Sequence, residues 1–267
     1  MDKLAKLMQD IGILWDKYHT MYLNGMLNTL GLALAATAIG CIIGLLCGIL
    51  NTIPCAKNDP LPKRILLKIL RVIIRIYVEV FRGTPMMVQS LIFYYAIFNL
   101  FKRTGMSVTE INRVWSLFIS GLVTVSLNST AYLAEVLRGG ILAVDAGQME
   151  AARSLGMTHW QAMRRVVFPQ AIKNSLPAIG NEFIINIKDS SVLCVLGVSD
   201  LMFMTRSVAG IYYKGTECYL IAATVYLFLT YLSSLLLKTI TGRMTAPDNT
   251  KRRQGNQTVD LGLPSSN

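Results

Sequence analysis

Charge is what this sequence has least of. Only 15% of its 267 residues are Asp, Glu, Lys or Arg, while 53% are hydrophobic; a typical soluble domain carries about 25% charged residues. The deficit argues against an ordinary soluble domain and for an integral membrane protein, so the net charge of +11 must be located before it is interpreted. Cysteine is equally uninformative: Cys41, Cys47, Cys55, Cys194 and Cys218 are odd in number, lie in or beside apolar runs and form no C-x-x-C pair. Neither a disulfide framework nor a zinc site is expected. The histidines are His19 and His159 alone, which excludes an H-E-x-x-H metal helix, and no G-x-x-x-x-G-K-[ST] occurs to cradle ATP phosphates. No cofactor, metal or catalytic residue is expected in this chain, and no internal repeat is visible.

What is present is a series of uncharged runs. About 20 helical residues cross roughly 30 Å of hydrocarbon. No charge interrupts Tyr18 to Ala56, whose apolar centre, Met26 to Leu50, is the first expected span. Gly40, Gly44 and Gly48 recur there at every fourth residue, forming one strip on which another helix backbone can approach closely. Arg71, Arg75, Glu79 and Arg82 lead into the run Gly83 to Phe101. A helix entering near Val72 puts Arg82 about 15 Å deep, beside a Gly83-Thr84-Pro85 triplet that should break it. Val114 to Ala134 and Cys218 to Leu237 are clean spans.

The disputed segment is Phe168 to Ile187, which contains Lys173, Pro177 and Glu182. Counted as a fourth span of five, it leaves sixteen Lys and Arg on one side of the membrane and nine on the other, with Arg82 inside. With four spans the split falls to fourteen against eleven. The positive-inside rule favours five, with the N-terminus outside and the C-terminus in the cytoplasm. The ends follow: residues 1–20 read as an amphipathic helix on the outer membrane surface (Leu4, Leu7, Met8, Ile11, Leu14, Trp15, Tyr18), residues 21–241 as the transmembrane domain, and 242–267 as a disordered cytoplasmic tail. A cleaved signal peptide is not expected, because charges interrupt residues 1–17.

Between the third and fourth spans, residues 145–169 describe a helix stopped by Gly156 at its C′ position and a second helix opened by a Thr158–Gln161 capping box, with Pro169 just beyond. So short an element cannot bury its own faces and should dock into something. Glu150-Ala151-Ala152, three residues, Gly156, nine residues, then Val166-Val167-Phe168-Pro169 resembles the EAA loop of ABC importer permeases, whose pattern ends I-x-L-P; Val and Phe are conservative departures. Glu79 to Gln89, Gly180 to Ile184, Lys188 to Ser191 and Gly197 to Leu201 are similar to the polar amino acid subfamily, the relatives of histidine, glutamine and arginine permeases.

The resemblance, over about residues 20–242, implies an all-α integral membrane fold with about five transmembrane helices and a cytoplasmic coupling helix. It also implies a type I importer: two permease subunits, identical copies being the expected pairing, two ATPases that bind ATP and magnesium, and an external amino acid-binding protein. Glu150, Ala151, Ala152, Gly156 and His159 are then the ATPase-coupling residues. Ala151 and Ala152 allow close approach, and Glu150 can pair with Arg153. The expected setting is a bacterial inner or plasma membrane, and the expected cargo is a polar or basic amino acid.

An ionisable residue inside a span is a candidate functional group. Glu182 lies roughly 20 Å from the cytoplasmic edge and Asp189 two turns further on. Together they could face an ammonium or cationic side chain, and Arg82 a carboxylate. Alternatively Arg82 pairs with Glu182 or Glu79 and no ligand is involved. A secondary transporter is a second reading, poorly suited by five spans without a repeat.

Overall fold

The computed structural model describes residues 2–55 and 59–245; the lysine at 57 and residues 246–267, with most of the expected tail, lie outside them. Among the described residues every regular element is helical. Three helices are long and apolar enough to cross a membrane: Lys3–Thr52, Leu117–Leu142 and Gly215–Gly242. The other two expected spans carry charge. One is split into α2 (Leu61–Gly83) and α3 (Met86–Arg103). The other is α8 (Phe168–Asp189), with Pro177 inside it.

α1 runs unbroken from Asp2 to Thr52, and this corrects the expectation of a separate surface helix over residues 1–20. At 1.5 Å per residue it is about 76 Å long, more than twice the hydrocarbon thickness. Protein covers part of the stripe expected to meet lipid: Leu14, Ile11, Tyr18 and Tyr22 pack with Leu201, Val208 and Tyr212 of α9 (Leu201–Tyr212) and Cys218 and Ile221 of α10 (Gly215–Thr245). Lys214 bridges Asp10 at 2.7 Å. The expected tail boundary at residue 242 falls inside α10.

Capping chemistry sets the other boundaries. α4 (Val108–Val114) opens with a complete capping box between Ser107 and Glu110. Ser116 accepts the Ile119 N–H to start α5 (Leu117–Leu142), so this span begins after a break at Trp115 and Ser116. Asp200 caps α9 by accepting from Phe203 N at 2.8 Å.

α5 is the centre of the bundle. α1, α2, α3 and α8 all pack on it. Three of its Ser and Thr side chains, Thr124, Ser126 and Thr130, return hydrogen bonds to the carbonyls of Ser120, Leu122 and Ser126 one turn back. These three are thereby satisfied without bulk, whereas the buried Ser120 hydroxyl has no partner among the described residues. The glycine strip of α1 lies on this surface: a Cβ on Gly40 would meet Ser129 Cβ at 2.9 Å, and one on Gly44 would meet Ala134 N at 2.9 Å. The small residues bring the two backbones together.

Candidate functional sites

Two regions carry the chemistry: a cleft between α2 and α5, and the loop that joins α5 to α8. The cleft begins with the break at Gly83-Thr84-Pro85, since Pro85 has no N–H to continue α2. The freed carbonyls are caught from α3, where buried Gln89 donates through Nε2 to Phe81 O at 2.9 Å, Thr84 O at 3.0 Å and Thr84 Oγ1 at 2.7 Å. Asn128 of α5 donates to Phe81 O and to Gln89 Oε1. This corner fixes Arg82, whose guanidinium lies over the Tyr132 ring, 5.1 Å from its centroid. Below it opens a cleft of about 710 Å³, lined by Asn51, Arg71, Arg75, Glu79, Arg82, Tyr132, Glu135 and Arg138 among others. Glu135 and Arg138 pair at 2.9 Å.

Glu182 lies where α8 meets α5. It is buried, and the Ser129 hydroxyl is within its hydrogen-bonding reach. One turn along, Asn186 Nδ2 donates to Ser129 Oγ at 2.7 Å and to Thr37 Oγ1 at 2.9 Å, tying α8 to α5 and α1 beside the glycine strip. Neither charge pairing expected from sequence is present: among the described residues the ion pairs are Lys63–Asp59, Arg138–Glu135 and Lys214–Asp10. Arg82, in the last turn of α2, engages the Tyr132 ring of α5 instead of Glu182 or Glu79. Asp189, the last residue of α8, is exposed. Sequence spacing does not single out Gln89 of α3, Asn128, Tyr132, Glu135 and Arg138 of α5, or Asn186 of α8, because only the packing of α2, α3 and α8 on α5 brings them to these sites.

The loop folds as its spacing predicts. α6 (Ala146–Ser154), capped by Asp145, ends with Gly156 at φ +83°. Gly156 N donates to Arg153 O at 3.0 Å and Met157 N to Ala152 O at 3.2 Å, the paired bonds of a Schellman motif. α7 (His159–Ala162) opens with a complete Thr158–Gln161 capping box. It then passes through a π-helical turn, Met163–Val167, directly into α8, so Pro169 sits early in a continuing helix instead of opening a separate one. Proline's missing N–H is accommodated by the preceding widened turn.

Ile141, Met163, Val167 and Ala171 seat the loop on the bundle, with Ile49, Val144 and Met149 around them. Ala152 is buried against this seat, Ala151 and Glu150 are exposed and His159 is half-buried. The expected Glu150–Arg153 pair does not form among the described ion pairs. The loop's open side also presents two large apolar groups that the motif spacing does not single out: Leu155 is 81% exposed and Trp160 61%.

Residues 62–246 match the family model described as binding-protein-dependent transport system inner membrane component. Over 222 residues the chain is 35% identical to "Probable amino-acid permease protein YxeN" of Bacillus subtilis, covering 83% of this chain and 90% of that protein. It is 30% identical over 224 residues to the glutamine transport system permease protein GlnP of Escherichia coli, covering 84% and 93% respectively. A crystal structure of an amino acid ABC transporter with histidines superposes with a TM-score of 0.68 at 38% identity, over 85% of this chain and 95% of that one. An inward-facing MetNI methionine ABC transporter shares the fold, with a TM-score of 0.66 at 19% identity over 86% and 98%.

Proposed function

Because the chain belongs to the family of inner-membrane components of binding-protein-dependent transport systems, we propose that it is the permease subunit of an ATP-driven importer that moves a polar or basic amino acid inward by alternating access. The observation that carries the coupling is the α6–α7 loop, where a glycine-closed turn and a capping box hold Leu155 and Trp160 outward on a seated base. An exposed Leu and Trp flanked by Glu150 and Arg153 make a small apolar contact with a polar rim, the composition of a docking surface. The partner is a separate ATPase dimer that binds ATP and magnesium. Closure of that dimer draws the loops of two permease subunits together and turns the cavity outward, and phosphate release resets it. An identical copy is the second permease in this reading.

The loop end then faces the cytoplasm of a bacterial cell and the α9 end faces outward to an amino acid-binding protein. Five crossings result, with the α2–α3 pair and α8 as the charged ones. Cargo passes the α2–α5–α8 region, with Glu182 opposite its ammonium and Arg82, held over Tyr132, opposite its carboxylate. Asp189, exposed two turns nearer the outer end, attracts a cationic cargo to the same path.

The test is Gly156→Leu, since a branched side chain at φ +83° is strained and reshapes the loop. Reduced co-purification of the ATPase and reduced uptake are expected, with the permease's own unfolding midpoint little changed. Undiminished association and uptake would remove the docking role. Uptake by the permease alone that collapses with a protonophore would favour a secondary transporter.

A further inference from the structure

We propose that the first half of α2 is a binding site for an anionic phospholipid of the leaflet on the loop side. Lys63, Arg64, Lys68, Arg71 and Arg75 fall between Asp59 and Glu79 with no acid among them. Four of them, at 64, 68, 71 and 75, keep the i, i+4, i+7, i+11 spacing of one helix face, rising about 16 Å along the axis. The neighbouring faces are hydrocarbon: Ile65, Leu66, Ile69, Ile73 and Ile76 are all exposed. Cation and hydrocarbon meet in a groove of about 510 Å³, where Arg64, Lys68, Arg71 and Arg75 border Leu61 and Val72.

The height of this groove follows from one contact. Arg71 donates through Nη2 to the carbonyl of Ile53, the residue after the last turn of α1. The guanidinium is therefore level with the end of the first span, where hydrocarbon gives way to headgroups. Its Nε is buried and has no partner among the described residues. Lys63 is occupied by Asp59 at 2.9 Å, whereas Lys68 and Arg75 have no carboxylate partner among the described residues.

A ligand for this place needs an anion held by several cations at headgroup depth and an apolar body lying against isoleucine and valine. A phospholipid with a phosphodiester and no compensating ammonium supplies both. A zwitterionic lipid brings its own cation into the same groove, and a soluble anion leaves the apolar wall in water. The site rests on the chain spanning a membrane with the loop end at one interface. It does not depend on the ATPase or the cargo.

Native mass spectrometry of the full-length permease tests it, with phosphatidylglycerol or phosphatidylcholine of identical acyl chains added to the detergent. The expected result is preferential retention of phosphatidylglycerol. It should fall roughly tenfold or more in Lys68→Gln/Arg75→Gln, since each cation near an anionic headgroup contributes about fivefold. It should persist in the charge-preserving Lys68→Arg/Arg75→Lys variant and in Lys102→Gln/Arg103→Gln at the opposite end. Equal retention of the two lipids by the wild type overturns the proposal whether or not any variant folds. So does full retention by a folded Lys68→Gln/Arg75→Gln protein, or displacement of the lipid by millimolar glycerol phosphate, which would mark a site for a free anion. Transport and ATPase association play no part in the measurement, so its failure and that of the importer reading are separable.

Discussion

Gly44→Ala adds one methyl group where α1 crosses α5, and the structure sets what that methyl group meets. Its Cβ would lie 2.9 Å from Ala134 N, 3.1 Å from the Leu133 carbonyl carbon and 3.1 Å from Leu133 Cβ. Two of these are backbone atoms of a central helix and cannot swing away, so the helices must part by about 0.5 Å, which forfeits roughly a quarter of the dispersion well of each affected contact. Overpacking of this kind costs about 1–3 kcal/mol. Replacing glycine within a helix returns about 0.5–1 kcal/mol. The expected net loss is about 1 kcal/mol, within a range of about 0–2.5 kcal/mol. Gly31→Ala is the control on the same helix: nothing lies within 4 Å of its added Cβ, so only the propensity gain remains. The propensity gain is common to both, so the two variants should differ by the overpacking cost, about 1–3 kcal/mol, and Gly48→Ala, whose Cβ would be 3.3 Å from Arg138 N, should fall between them. Reversible unfolding of the purified permease in SDS, followed by helicity, measures the order. If Gly44→Ala is as stable as Gly31→Ala, the close crossing of α1 and α5 is wrong.

Gln89→Leu removes the donor to the Thr84 carbonyl and leaves the Phe81 carbonyl with Asn128 alone at the α2–α3 break, and a loss of about 1–3 kcal/mol is expected in the same unfolding assay; a neutral outcome would mean that water replaces the Gln89 amide at no cost. Glu182→Gln preserves volume and removes the charge, so the importer reading expects weaker apparent affinity for cationic amino acids in reconstituted uptake, with folding intact; unchanged affinity, cargo range and stimulated ATPase would remove Glu182 from the cargo path. The Ser107 N–H and hydroxyl hold the Glu110 carboxyl below its ordinary range. Because its folded value is depressed, this cap contributes fully above the unfolded value and is lost as pH falls through the folded one. Carbon-detected NMR titration should find that midpoint lowered in the wild type and returned upward in Ser107→Ala.

The elements governed by local chemistry were legible without coordinates. The break at Gly83-Thr84-Pro85 follows from proline's missing N–H, and the loop's Schellman turn and capping box follow from glycine and Thr-x-x-Gln spacing. The glycine strip could be read as a close-approach face, but not what approaches it. Span counting puts Arg82 and Glu182 in two expected crossings, but carries nothing on whether they meet.

The amino-acid sequence by itself therefore determined the membrane class, the helix break at Gly83-Thr84-Pro85 and the glycine turn and capping box of the loop, because each depends on composition or on residues within a turn of one another. Tertiary structure alone decided that α1 continues past the membrane onto α9 and α10, since a stripe suited to lipid is equally suited to a protein groove. It alone decided that Arg82 rests on Tyr132 while Glu182 and Asn186 meet Ser129 and Thr37. Those partners lie 50 to 149 residues away in sequence, and no local periodicity encodes which faces of α1, α2, α5 and α8 come together.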